Sequence, residues 1–139
     1  DKVTEVALPR LREFNSQNLA NTVWAYATVG YSSPQLFDKI ASVAIPRLDE
    51  FSPQALANIV WAYATVGHLP RLSSPQLFDK VAEVALRCLD QFSSQEIANT
   101  VWAYATVGNF SPQLFDKTAE ALPRLVAIPR LREFNSQDI

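Results

Sequence analysis

The heptapeptide WAYATVG stands at residues 24–30, 61–67 and 102–108, and it decides the fold. Around each copy runs a longer unit: FNSQNLANTVWAYATVG, FSPQALANIVWAYATVG and FSSQEIANTVWAYATVG, each trailed by SPQLFDK starting at Ser33, Ser74 and Ser111. The copies lie 37 and 41 residues apart. A recurrence of this period marks stacked supersecondary units, each too small to bury its own apolar face, rather than one globular core around a pocket. The fold class expected is all-α: an α-solenoid of stacked antiparallel helical hairpins, about three repeats of 37–41 residues. The whole chain, 1–139, reads as a single solenoid segment. Its units fall at approximately 14–50, 51–91 and 92–133, with partial units at 1–13 and 134–139.

Punctuation within each unit defines two helices. Asn15, Ser52 and Ser93 stand where an N-cap belongs, with side-chain oxygens able to accept from the first exposed backbone N–H groups. Pro53 follows at the first helical position, where a missing N–H is harmless. Phe14, Phe51 and Phe92 before the caps, with Leu19, Leu56 and Ile97 four helical positions in, form hydrophobic-staple pairs. The only glycines, Gly30, Gly67 and Gly108, close each first helix, as a left-handed C-cap requires. The second helix opens with serine and proline at Ser33, Ser74 and Ser111. Pro46 ends or kinks the one in the first unit, whereas Arg87 in the matching place predicts a longer helix in the second.

Composition narrows the rest. Hydrophobic residues make up 48%, enough to bury the inner faces of stacked helices, and the net charge of -2 offers no bulk attraction to nucleic acid or anionic lipid. No apolar run reaches the roughly 18 residues of a membrane span. The lone cysteine, Cys88, excludes an internal disulfide and reads as a small buried apolar side chain. The chain has no methionine, residues 1–8 match 79–86 closely, and 126–137 nearly repeat 6–17. A slice of a longer array is therefore expected.

On a helical wheel of residues 17–29, Leu19, Ala20, Val23, Trp24, Tyr26 and Ala27 span one arc, opposite Asn18, Asn21, Thr22, Ala25 and Thr28. The tryptophans Trp24, Trp61 and Trp102 and the tyrosines Tyr26, Tyr63 and Tyr104 are thus assigned to repeat-to-repeat packing rather than to base stacking. A binding array keeps its framework and varies its reading positions. Two columns vary, Asn18/Ala55/Glu96 and Thr22/Ile59/Thr100, four residues apart and so on one helix face. They are the candidate ligand-binding positions. Asn21, Asn58 and Asn99 do not vary, and suit either a ligand's backbone or an inter-unit hydrogen-bond ladder.

LANTVWAYATVG at residues 19–30 and its copies, with the PQLFDK second helix, resemble the octotricopeptide repeats of organellar RNA-processing and translation factors. The resemblance covers essentially the whole chain. It implies a right-handed α-solenoid whose first helices line a concave face for single-stranded RNA, about one nucleotide per unit, read in a sequence-tolerant or modular way. It also implies a chloroplast or mitochondrial setting.

Between Gln17 and Val29, and in the matching spans, there is no Lys or Arg, and the only formal charge is Glu96. Phosphate contacts would have to come from the rim, from Lys39, Lys80, Lys117 and Arg47. The alternative is a protein–protein interaction scaffold, or an accessory subunit docked on a large organellar complex, photosynthetic or ribosomal. No enzyme is expected, and neither cofactor nor metal. His68 stands alone in a turn, and no paired carboxylates, ligand cluster or phosphate-cradling glycine loop occurs.

Overall fold

A computed structural model describes residues 6, 8–31, 33–66, 74–109 and 111–125. Among the described residues the main α-helices are, in order, α1 (Ser16–Thr28), α2 (Pro34–Ala44), α3 (Pro53–Val66), α4 (Ser74–Cys88), α5 (Ser94–Val107) and α6 (Pro112–Leu125). Short 3-10 turns at Leu8–Glu13, Ile45–Glu50 and Leu89–Gln91 lead into α1, α3 and α5. Among the described residues there is no strand, and the fold is an all-α stack of helical hairpins. The odd helices pack side by side, α3 between α1 and α5, and the even helices lie behind them as a second layer.

The caps of α1, α2, α3, α5 and α6 form as the sequence predicts, whereas Ser74 is itself the first residue of α4. The Asn15 side chain accepts from the Asn18 backbone N–H at 2.7 Å, and the Asn18 side chain accepts in return from the Asn15 N–H at 3.0 Å. Ser93 and Glu96 make the same reciprocal pair at 3.1 and 2.8 Å. Ser52 caps α3 by accepting from the Ala55 N–H, while Ser33 and Ser111 cap α2 and α6. Gly30 and Gly108 both have φ of 74°, a left-handed conformation that lets Tyr31 and Asn109 donate back to Tyr26 and Tyr104. Gly67 and His68 lie outside the described residues.

Pro46 ends the first unit's second helix: α2 stops at Ala44 and passes into the Ile45–Glu50 turn. With Arg87 in that place α4 continues to Cys88, 15 residues against 11 for α2. The Arg87 guanidinium then pairs with Asp49 of the preceding unit at 3.1 Å.

The core lies between the layers. Leu36, Phe37, Ile40 and Ala44 of α2 and Leu77, Phe78, Val81 and Ala85 of α4 recur one turn apart and are buried against the odd helices. Tyr63 and Tyr104 are buried too, as predicted. Each reaches across to the preceding unit. The Tyr63 hydroxyl donates to the Phe37 carbonyl and the Tyr104 hydroxyl to the Phe78 carbonyl. Their rings meet those phenylalanines edge-on at 5.0 and 4.9 Å. Removal from water holds both phenols above the usual range, Asp38 and Asp79 adding to the effect. Tyr26, the matching residue of α1, is only partly buried and rests edge-on against Tyr31 at 5.4 Å.

Candidate functional site

Three nearly identical helices in one layer have different neighbours, so comparing them reads out which side faces what. Ala20, Val23 and Ala27 of α1 and Ala57, Val60 and Ala64 of α3 are buried, but Ala98 and Ala105 of α5 are exposed and Val101 is partly so. This side therefore packs on the following odd helix, and α5 has none after it among the described residues. The opposite side is the mirror case. Ala55, Ile59 and Ala62 of α3 and Thr100 and Ala103 of α5 are buried, while Asn18 and Ala25 of α1 are exposed.

This corrects the reading of the varying columns. Ala55, Ile59 and Thr100 are interior side chains between stacked helices and cannot reach a ligand on the outer face. Asn18 and Glu96 keep some surface, but their side chains are occupied in the capping boxes of α1 and α5. Thr22, partly exposed, bonds back to the Asn18 carbonyl at 2.7 Å, as Thr100 does to that of Glu96. The columns vary because each unit solves the same cap and packing problem differently.

What does face outward in every unit is an unvarying stripe. Gln17, Asn21, Trp24 and Thr28 lie at intervals of four, three and four residues, along one line of α1. Gln54, Asn58, Trp61 and Thr65 repeat it on α3, and Gln95, Asn99, Trp102 and Thr106 on α5. All twelve are exposed or partly exposed. Packing between repeats holds only in part for the tryptophans: Trp61 is partly buried against the core, but Trp24 and Trp102 are 43% and 47% exposed. The apolar arc of the wheel is wide, Trp lies at its margin, and a single layer of helices leaves that margin open. Trp24 and Trp61 meet across units, ring centres 6.3 Å apart and planes tilted by 35°. Asn99 accepts from Gln95 of its own helix at 3.0 Å, and among the described residues no hydrogen bond joins the three asparagines across units.

The stripe could have been found in the sequence by asking which columns stay constant and polar rather than which ones change. A core needs no Gln and Asn four residues apart in every copy, beside a Trp. The side-chain amides can each donate and accept. The indoles offer flat apolar faces and the stripe bears no charge.

The rim cations belong to the other side. Lys39, Lys80 and Lys117 stand on the even helices, and Arg47 on the turn after α2. Lys80 pairs with Glu83 at 3.5 Å and Lys117 with Glu120 at 3.8 Å. Arg47 donates to the Phe14 carbonyl at 2.8 Å and lies 3.8 Å from Glu50, tying the first unit's turn to the entrance of α1. A cleft of about 570 Å³ between that turn and α4 is lined by Asp49, Arg87 and Cys88, among others. It is open, and the Arg87–Asp49 pair spans it. Burial pushes the Cys88 thiol up, helped by Asp90 and opposed by Arg87, and the thiol donates to the Val84 carbonyl at 3.5 Å. Such a thiol is no ready nucleophile. Among the described residues no group of three or more His, Cys, Asp or Glu could hold a metal ion, and no helix is long and apolar enough to cross a membrane.

The all-α repeat stack thus turns a neutral amide and indole face outward, and it matches a known family. The family described as FAST kinase-like protein, subdomain 1, matches residues 19–72 and again 56–118. The two matches overlap and together span well over half of the chain's 139 residues; the chain belongs to this family. The match is consistent with a helical-repeat, RNA-associated protein. A family described as a protein of unknown function matches residues 11–23 and 125–139.

Proposed function

We propose that this chain is a non-catalytic binding module that takes single-stranded RNA on the outer face of its odd-helix layer. Family membership supports the RNA association. The observation that carries the choice of surface is the stripe of Gln, Asn, Trp and Thr, the same in all three units and open to solvent in each. Aromatic faces beside amides are the equipment with which unpaired bases are usually held. The interior positions of Ala55, Ile59 and Thr100 favour sequence-tolerant binding over a code that changes from unit to unit. An organellar site, chloroplast or mitochondrion, rests on the octotricopeptide resemblance. The absence of a catalytic role is supported by the sequence, in which glycine occurs only at the ends of WAYATVG and never as a phosphate-cradling loop.

The test is a titration of the chain with single-stranded RNAs of increasing length, with duplex RNA as comparison. Affinity that rises with single-strand length and is absent for duplex is expected. Equal binding of duplex would remove the reading. No binding of either would leave the protein scaffold as the function, to be pursued by co-purification.

A further inference from the structure

The odd-helix face combines two properties that seldom occur together in a surface for nucleic acid: exposed aromatic rings and no cation. Single-strand binders ordinarily track the backbone with a positive groove and stack bases on aromatics. Here the second component is present and the first is missing. No Lys or Arg occurs within α1, α3 or α5, and Glu96 is their only charged residue. The basic side chains stand on the even helices and the connecting turns, and Lys80, Lys117 and Arg87 pair there with carboxylates. The uncharged part of a polynucleotide is its bases. A neutral face of indoles and amides complements them, and does not complement phosphates.

We infer that the stripe holds nucleic acid base-first, with unpaired bases against Trp24, Trp61 and Trp102 and their edges on Asn21, Asn58 and Asn99, while the phosphates stay in water. This rests on the RNA reading above and specifies which part of the RNA touches the protein. Trp24 and Trp61, 6.3 Å apart and tilted by 35°, form a continuous shelf rather than separate pegs. The asparagines stand one turn before the tryptophans on the same line of each helix, beside the rim of a stacked base. An amide can present either donor or acceptor, so the shelf does not select one base.

The stripe carries its own reporter, because these are the only three tryptophans in the chain. The experiment follows tryptophan fluorescence while the chain is titrated with a short single-stranded RNA and with a peptide nucleic acid of the same bases, whose backbone is neutral. Both should quench the emission, with affinities within about threefold of one another. Raising salt from about 50 to about 200 mM should weaken RNA binding by about threefold or less, as one phosphate contact would give; three contacts would give about twentyfold. Trp24→Ala with Trp102→Ala, two half-exposed sites, should leave the helical circular dichroism unchanged and cost at least about tenfold for both ligands. Lys80→Ala with Lys117→Ala should change neither.

RNA binding without peptide nucleic acid binding, or a steep salt dependence, would overturn the base-first arrangement and leave the RNA function standing. Binding of both ligands without quenching, unaffected by the tryptophan substitutions, would move the site elsewhere. Binding of neither would bring down the RNA reading itself.

Discussion

The two layers of this stack bury similar side chains toward one another and turn opposite faces to water. The even helices show charge in every unit: Asp38 and Lys39, Asp79 and Lys80, Asp116 and Lys117, with ion pairs to Glu83 and Glu120 one turn on. The odd helices show Gln, Asn, Trp and Thr and, Glu96 aside, no charge at all. Both patterns are equally regular. A charged outer surface is what keeps a small helical stack soluble, and the even layer supplies it. The odd layer is thereby free to keep a neutral, partly aromatic face that would be a liability over a whole surface.

Breaking the link between the layers should have the largest effect. Tyr63→Ala removes a fully buried ring, its edge contact with Phe37 and the hydroxyl bond between units. A loss of about 3–5 kcal/mol is expected in urea denaturation. Trp24→Ala, an exposed aromatic in the same layer, should cost about 1 kcal/mol or less. Equal losses would show that the tryptophans belong to the core after all.

Within the odd layer, Ala62→Leu or Ala103→Leu forces methylenes between packed helices and should cost about 1–3 kcal/mol. Ala25→Leu places the same change in the same column on the exposed side of α1, and should stay within about 0.5 kcal/mol. The pair is measured by thermal melting, and a similar shift for both would contradict the stacking order.

Alkali should separate the layers by chemistry. Tyr63 and Tyr104 are held protonated in the fold, their phenols raised above the ordinary tyrosine range of about 10. The folded state therefore retains protons that the unfolded chain releases. The stabilisation is fully present below about pH 10 and is lost as pH rises above it, by on the order of 1 kcal/mol per tyrosine near pH 11. The double substitution Tyr63→Phe, Tyr104→Phe should flatten the decline between about pH 10 and pH 11. An unchanged slope would mean that the phenols ionise in place.

The outer face of the even layer should be the most tolerant. Lys80→Ala breaks a partly exposed ion pair with Glu83 and should move stability by no more than about 0.5 kcal/mol, less at high salt. A larger loss would show that the charged face holds the stack together as well as keeping it soluble.

Most of this architecture was legible in the residues. The repeat period gave the class, and Asn15, Ser52, Ser93 and the glycines gave the helix ends, because caps are local chemistry. Pro46 against Arg87 foretold the difference in length between α2 and α4 for the same reason. The site was less legible. A single helical wheel cannot tell a side that meets a neighbouring helix from a side that meets water, since Trp24 lies at the edge of the apolar arc and the column of Ala55 and Ile59 lies across from it. Hence the wheel alone sets Trp24 inward, and Ala55 and Ile59 outward. The answer depends on which helices lie on either side, a tertiary fact that becomes visible only when α1, α3 and α5 are laid in one row.

The middle helix carries a consequence for how such a protein lengthens. α3 presents its Ala55, Ile59 and Ala62 side to α1 and its Ala57, Val60 and Ala64 side to α5. A segment of the gene copied in frame beside itself would thus encode a helix whose two flanks already match the neighbours it meets. Growth by duplication needs no new interface to be invented, and each added copy would set one more indole on the outer face.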